Sequence, residues 1–346
     1  MLNRRQLAGG VTLLGLMGSA GVALPLISRA DGVGKSLNDR LTGDLSPVHD
    51  PSIIQDQAGG FHLFTTSQKG ERAGLIHWRT SPDLVTWSFK GAVMPDFPAW
   101  VLESVPQARG AWAPDISYVG GRYLLYYAVS TFGSNHSVIG LMTTPTLDTS
   151  KAGFGWTDEG AVISSAKDDD YNAIDPNHII DSEGRHWLVF GSFWSGIKLV
   201  ELDPFTHKPK DLKAKPKAIA SRSAPGAIEG AVILPREGFY YLFASYDFCC
   251  RGVNSSYYTC VGRSKAIDGP YVDTGGLTLM KDGGTLLLDA RMDKSGRFKG
   301  PGGASILQCG NRDIIVYHAY DADKNGMPTL RMQVLDWSSD GWPVAV

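Results

Sequence analysis

The sequence predicts an all-β protein, a five-bladed β-propeller forming a single domain. Two observations lead there. First, one pattern occurs five times: a lead residue, a short β-prone run, a Gly-containing turn and a second apolar run. In register the lead positions are Asp50, Ala113, Asp175, Glu229 and Gly302, at spacings of 63, 62, 54 and 73 residues. Each period is long enough for about four strands with their loops, which is one blade. Second, no helical period of 3.6 persists anywhere beyond the N-terminal leader.

The leader comes first. Arg4-Arg5 precede an apolar run from Leu7 to Ile27, and Ser28-Arg29-Ala30 offers a small-x-small cleavage site before Asp31. This predicts a signal peptide over residues 1–30, and Arg4-Arg5-Gln6-Leu7 resembles a twin-arginine export signal. The expected mature domain, 31–346, is secreted or periplasmic and free of the membrane. Residues 31–45, rich in Gly, Ser, Asn and Asp, read as a loosely held arm.

The first blade starts near Pro47. Asp50-Pro51-Ser52-Ile53-Ile54 leads through Gly59-Gly60 into Phe61-His62-Leu63-Phe64, and Ile76–Thr80 reads as its next strand. In the second, Ala113-Pro114-Asp115-Ile116 leads through Gly120-Gly121 into Arg122–Tyr127. In the third, Asp175-Pro176-Asn177-His178-Ile179 leads through Ser182-Glu183-Gly184 into His186–Trp194. The fourth runs from Glu229-Gly230-Ala231 through Glu237-Gly238 into Phe239–Phe243, and the fifth from Gly302-Gly303-Ala304 through Gly310-Asn311 into Ile314–His318. Asp175 precedes a proline, which biases its backbone towards extended geometry at a strand start.

The formal net charge of −2 gives no footprint for nucleic acid or an anionic membrane surface. A monomer is expected. Lys208–Lys217 and Asp168-Asp169-Asp170 read as solvated loops. None of the four cysteines has zinc-ligand spacing. A bridge from Cys249 or Cys250 to Cys260 would staple a hairpin, whereas a bridge between neighbours is strained; spacing alone does not fix the connectivity.

Closing five blades into a ring brings Asp50, Asp175 and Glu229 to one end of the axis. Three converging carboxylates suggest glycoside hydrolysis: one acid protonates the leaving oxygen, one carboxylate activates water or attacks the sugar, and a third tunes the acid. Asp115 falls one residue out of register and reads as a structural acid.

At this point a family resemblance can be placed. His49-Asp50-Pro51-Ser52-Ile53-Ile54, Trp112-Ala113-Pro114-Asp115-Ile116, Ser130-Thr131-Phe132-Gly133-Ser134-Asn135, Asn172-Ala173-Ile174-Asp175-Pro176, Gly191-Ser192-Phe193-Trp194-Ser195-Gly196-Ile197 and Ala227-Ile228-Glu229 together resemble the endo-1,5-α-L-arabinanases of glycoside hydrolase family 43. The resemblance runs from about Val48 to Pro343. It implies an inverting enzyme cutting internal α-1,5 links of arabinan or arabino-oligosaccharides, with Asp50 as general base, Glu229 as general acid and Asp175 as the residue that tunes the acid and orients the sugar. It also implies a groove lined by His49, Trp112, Phe132, Gly133, Asn172, Ala173, Ile174, Ser192, Phe193 and Trp194. An exo-acting arabinofuranosidase or β-xylosidase on the same fold, or a non-catalytic sugar-binding propeller, are the alternative readings. The family resemblance further implies an axial calcium ion held by a histidine after Gly-Pro-Gly. Here Gly303 stands in that place, so His318 becomes the candidate ligand and Gly303→His the expected way to restore the site.

Overall fold

The computed structural model describes residues 36–346, so the predicted signal peptide lies outside the described residues. Runs rich in Ile, Val, Leu, Phe and Tyr, broken by Gly turns, form five antiparallel sheets in chain order. The first blade is Ser52–Gln55, Phe61–Thr65, Leu75–Ser81 and Thr86–Met94. The second is Gly110–Val119, Arg122–Val129, Ser137–Thr144 and Thr157–Ser165, and the third is Asn177–Ile180, His186–Phe190, Ile197–Leu202 and Lys217–Ala220. The fourth is Ile228–Arg236, Phe239–Tyr246, Tyr258–Ser264 and Thr285–Leu288, and the fifth is Phe298–Cys309, Arg312–Asp321, Met327–Trp337 and Pro343–Ala345. The first strand of each blade touches the first strand of the next, and the fifth touches the first, so the chain is a five-bladed β-propeller.

Apolar side chains pack between blades, not along the axis. Trp78, Tyr127 and Met142 belong to the layer between blades 1 and 2, Leu124, Phe190 and Leu188 to that between 2 and 3, Leu242 and Ile228 to that between 3 and 4, and Phe243 and Ile315 to that between 4 and 5. The axis is thereby left to polar groups.

The N-terminal arm departs from expectation, because it is fastened to the propeller. Leu37–Arg40 forms a short helix whose Asn38 accepts the Met332 N–H. Thr42–Gly43 pairs in parallel with the outer strand of blade 1. Val48 donates to the Pro328 carbonyl, and Leu330 to the Leu45 carbonyl, which ties the start of the ring to its last blade. The physical reason is closure: unpaired strand edges and the seam between first and last blades need partners, and a polar arm can supply backbone ones.

Candidate active site at one end of the axis

The lead residues are kinked, not extended. Asp50, Ala113 and Asp175 have φ of 47°, 41° and 57°, each before a proline. A following proline disfavours the right-handed helical region, and the prediction took the extended alternative; the structure uses the left-handed one. In blades 4 and 5 the matching φ values of 57° fall on Gly230 and Gly303, one residue beyond the register assigned from sequence. Glu229 therefore precedes the kink that Asp50 and Asp175 occupy. A non-glycine residue in this region costs of order 1–3 kcal/mol, and such strain concentrates at functional sites.

The kinks carry each carboxyl to its neighbours. Asp50 Oδ2 accepts from Thr66 Oγ1 (2.7 Å) and lies 2.7 Å from His49 Nδ1. Asp175 Oδ2 accepts the Gly230 N–H at 3.0 Å, across the joint between blades 3 and 4. Glu229 Oε2 accepts from Ser192 Oγ at 2.6 Å, and Oε1 from Tyr257 OH at 2.9 Å. All three carboxylates are half-buried.

Their environments separate them. Burial pushes the Asp50 carboxyl up, but chiefly the charge and hydrogen bond of His49, with the Thr66 hydroxyl, outweigh it and bring it down to about 2. Glu229 is raised by burial, with the Asp50 charge adding to it, against its hydrogen bonds from Ser192 and Tyr257. Asp175 is held well above the ordinary carboxylate range by burial and by the charges of Glu229 and Asp50. One carboxyl is thus kept ionised and another biased towards its protonated form, which is the division an acid–base pair needs.

The residues expected to line the groove divide into two sets. Phe132 is 83% exposed and Trp194 42% exposed, and Gly133 is exposed on the same loop as Phe132. Phe193 is half-buried, and its ring lies 5.9 Å from that of Phe248. These four are free to meet a ligand. Ala173 (0% exposed) and Ile174 (9%) belong instead to the core between blades 2 and 3, and Trp112 packs against the same core. Asn172 is buried and accepts from Ser137 Oγ at 2.6 Å. Asn172, Ala173 and Ile174 hold the neighbouring loop in shape, because side chains that precede a strand kink fill the interblade layer, whereas Trp112 is half-buried like Phe193. Ser192 acts on Glu229, and His49 uses both ring nitrogens within the protein, the second on Tyr320 OH at 2.8 Å. Asp115 is buried, accepting from Asn177 Nδ2 (3.0 Å) and the His178 N–H (2.8 Å), so it joins blades 2 and 3 as a structural acid. Thr66, Tyr257, Tyr320 and Ser245, whose Oγ accepts the Gly303 N–H at 2.9 Å, escaped the sequence reading, since each lies away from a lead position and none forms a motif.

His318 is fully buried, its ring 3.7 Å from that of His49. Its Nδ1 accepts the Asp50 N–H at 3.1 Å, and burial keeps the ring neutral. The single ring proton then sits on Nε2, which is buried without a partner among the described residues. Neither nitrogen offers a lone pair to a cation, and Asp50 is the one carboxylate of the His49–Asp50–His318 group. Calcium takes six to eight oxygens. As placed, these residues do not fit the expected ion. Restoring a ligand at 303 fails too: a Cβ there would meet Asp50 Oδ1 at 2.4 Å and His318 Cε1 at 2.8 Å. The cysteines also differ from the hairpin bridge considered above. Cys249 and Cys250 are bonded to each other, while Cys260 and Cys309 are buried and free. Cys260 lies in the Tyr258–Ser264 strand with its side chain turned into the core between blades 3 and 4, away from the loop that carries the pair.

A five-bladed propeller with three carboxylates gathered at one end of its axis has the architecture of a glycoside hydrolase. The model of the glycosyl hydrolases family 43 matches residues 46–343, and the chain belongs to that family. It is 44% identical over 300 residues to the extracellular endo-α-(1→5)-L-arabinanase 1 of Bacillus subtilis (strain 168), covering 86% of this chain and 87% of the relative. A solved exo-1,5-α-L-arabinanase from a bovine ruminal metagenomic library superposes with a TM-score of 0.80 at 41% identity, over 86% of this chain and 96% of that one. The α-L-arabinanase of Cellvibrio cellulosa, solved in complex with arabinohexaose, superposes with a TM-score of 0.80 at 35% identity, over 87% and 96%.

Proposed function

We propose that this chain is an exported arabinanase that hydrolyses internal α-1,5 links of arabinan with inversion. The observation that carries the reading is the opposite treatment of two carboxyls at one end of the axis: Asp50 is held down and Glu229 is pushed up. Glu229 donates its proton to the glycosidic oxygen as the bond to the anomeric carbon breaks. Asp50 takes a proton from a water, whose oxygen bonds to the same carbon from the opposite face. Asp175 is fixed by the Gly230 N–H, and burial with the charges of Glu229 and Asp50 biases it to the protonated form, in which it orients the sugar. Phe132, Phe193 and Trp194 offer flat apolar faces to sugar rings. Ser192 and Tyr257 aim the Glu229 oxygens. Export rests on the leader and on the extracellular relative.

Endo action is favoured by similarity to the Bacillus enzyme, and exo action by similarity to the ruminal one. A time course on linear α-1,5-arabinan separates them. Mixed short oligosaccharides appearing first mean endo cleavage; a single short product from the start means exo; no product means a binding propeller. Proton NMR of the first-formed reducing sugar tests inversion, and a product that keeps the α configuration refutes it.

A further inference from the structure

Behind the carboxylate assigned as base lies a chain of contacts that ends at a disulfide. His49 Nδ1 lies 2.7 Å from Asp50 Oδ2, and its Nε2 lies 2.8 Å from Tyr320 OH. Tyr320 OH in turn accepts the Cys250 N–H at 2.7 Å. Each link comes from a different place. Asp50 and His49 head blade 1, Tyr320 lies in the Arg312–Asp321 strand of blade 5, and Cys250 belongs to the loop that leaves Phe239–Tyr246 in blade 4.

Cys249 and Cys250 are bonded to each other. A bridge between consecutive residues closes a small ring containing the peptide that joins them, so it fixes the direction of the Cys250 N–H. The loop's other ties flank this point: the Ser256 N–H donates to the Phe248 carbonyl and the Arg251 N–H to Ser255 Oγ. Cys250 is exposed and sits at φ 64°, which is unfavourable for a residue with a Cβ. Its Sγ lies 3.7 Å from His49 Nε2 and 3.9 Å from Tyr320 OH, so the bridge also packs against both relay groups.

We propose that the Cys249–Cys250 bridge is a redox-sensitive support for the general base. Closed, it presses the Cys250 N–H onto Tyr320, and Tyr320 and His49 hold the Asp50 carboxylate in line. Opened, the ring is lost, the strained residue relaxes, and the relay loses its outer anchor. The opening step takes two electrons and two protons from a dithiol, which becomes its own disulfide, and yields two thiols; a disulfide oxidant reverses it. His49, Tyr320 and Cys250 act here as positioning residues, since only Asp50 touches the reacting water. The proposal rests on the assignment of Asp50 as base.

The test uses the whole protein, oxidised and then reduced with dithiothreitol. On linear arabinan, reduction is expected to lower kcat about tenfold with KM unchanged, because a base displaced by a fraction of an ångström costs rate and not binding. Reoxidation restores it. Tyr320→Phe lowers kcat by itself, and reduction then adds nothing. The joint variant Cys249→Ser/Cys250→Ser matches the reduced enzyme and ignores the reductant. An unchanged kcat on reduction, an equal loss in Tyr320→Phe, or a change in KM alone would each overturn the proposal. A readout without substrate keeps it separate from the choice of arabinan: the His49 ring ¹⁵N resonances should move on reduction of the wild type and stay still in the joint variant. If arabinan is not cleaved yet those resonances move, the substrate reading fails and the relay stands; if they do not move, the relay fails.

Discussion

Gly303→Ala is the sharpest probe of how Asp50, the proposed base, is held. Gly303 sits at φ 57°, and a Cβ added there would lie 2.4 Å from Asp50 Oδ1, 2.8 Å from His318 Cε1 and 2.9 Å from His318 Nδ1. The His318 ring cannot yield easily, since it is fully buried and tied to the Asp50 N–H. The carboxylate must therefore move, by about 0.6 Å to bring the 2.4 Å contact out to 3.0 Å, the shortest spacing a real Cβ shows. A 1 Å error at a catalytic group can cost about 10²-fold, so roughly tenfold or more should be lost from kcat. Stability falls as well: about 1 kcal/mol for alanine in the left-handed region and about 1–3 kcal/mol for overpacking. That corresponds to a drop in melting temperature of roughly 3–6 °C. Gly310→Ala is the control, because Gly310 has a similar φ of 61° with nothing within 4 Å of the added Cβ. It should lose about 1 kcal/mol and no activity. Initial rates on linear arabinan and a thermal melt read both effects. A Gly303→Ala enzyme with kcat within about twofold of wild type would refute the claim that this glycine leaves room for the base.

Asp50→Ala and Glu229→Ala should each lower hydrolysis by about 10² to 10⁴ or more, and a leaving group that needs no proton should rescue only Glu229→Ala; rescue of both would exchange or abolish the roles. Chelator should change rate and melting temperature little, since the axial residues offer no fitted ligand set; loss of activity in chelator, regained with calcium, would expose a strong site elsewhere. Stability should fall steeply as pH drops from 6.5 towards 4. Burial, with the charges of nearby groups, takes His178 down to about 3 and His207 and His77 down to about 4, so the unfolded chain binds protons in that window while the fold does not. Each group contributes a slope of up to about 1.4 kcal/mol per unit of pH. Asp115, raised to about 6 by burial, works in the opposite direction together with the raised Asp175 and Glu229, but His318, His62 and His186 are also lowered by burial and add to the loss. A melting temperature that stays level from pH 6.5 to 4.5 would contradict this.

Much of the architecture can be read from residue order alone. A propeller is built of local hairpins, so the turn glycines at 59–60, 120–121, 184, 238 and 310 mark each blade's first hairpin without long-range information. The three carboxylates were legible for the same reason, because residues in equivalent places of successive blades must meet near the axis. What tertiary structure decided is the set of conformations and contacts that cross between blades. The left-handed kinks at Asp50 and Asp175 oppose a local preference and persist only because neighbouring blades hold the carboxyls, as Gly230 holds Asp175. Ala173 and Ile174 carry the same motif letters whether they face sugar or core; only the fit between blades 2 and 3 places them in the core. Tyr257, Thr66 and Tyr320 reach the carboxylates from separate turns of the chain, directly or through His49, and no spacing announces them. The pairing of Cys249 with Cys250 was likewise undecidable from spacing, since only the fold turns Cys260 into the core between blades 3 and 4, away from the pair.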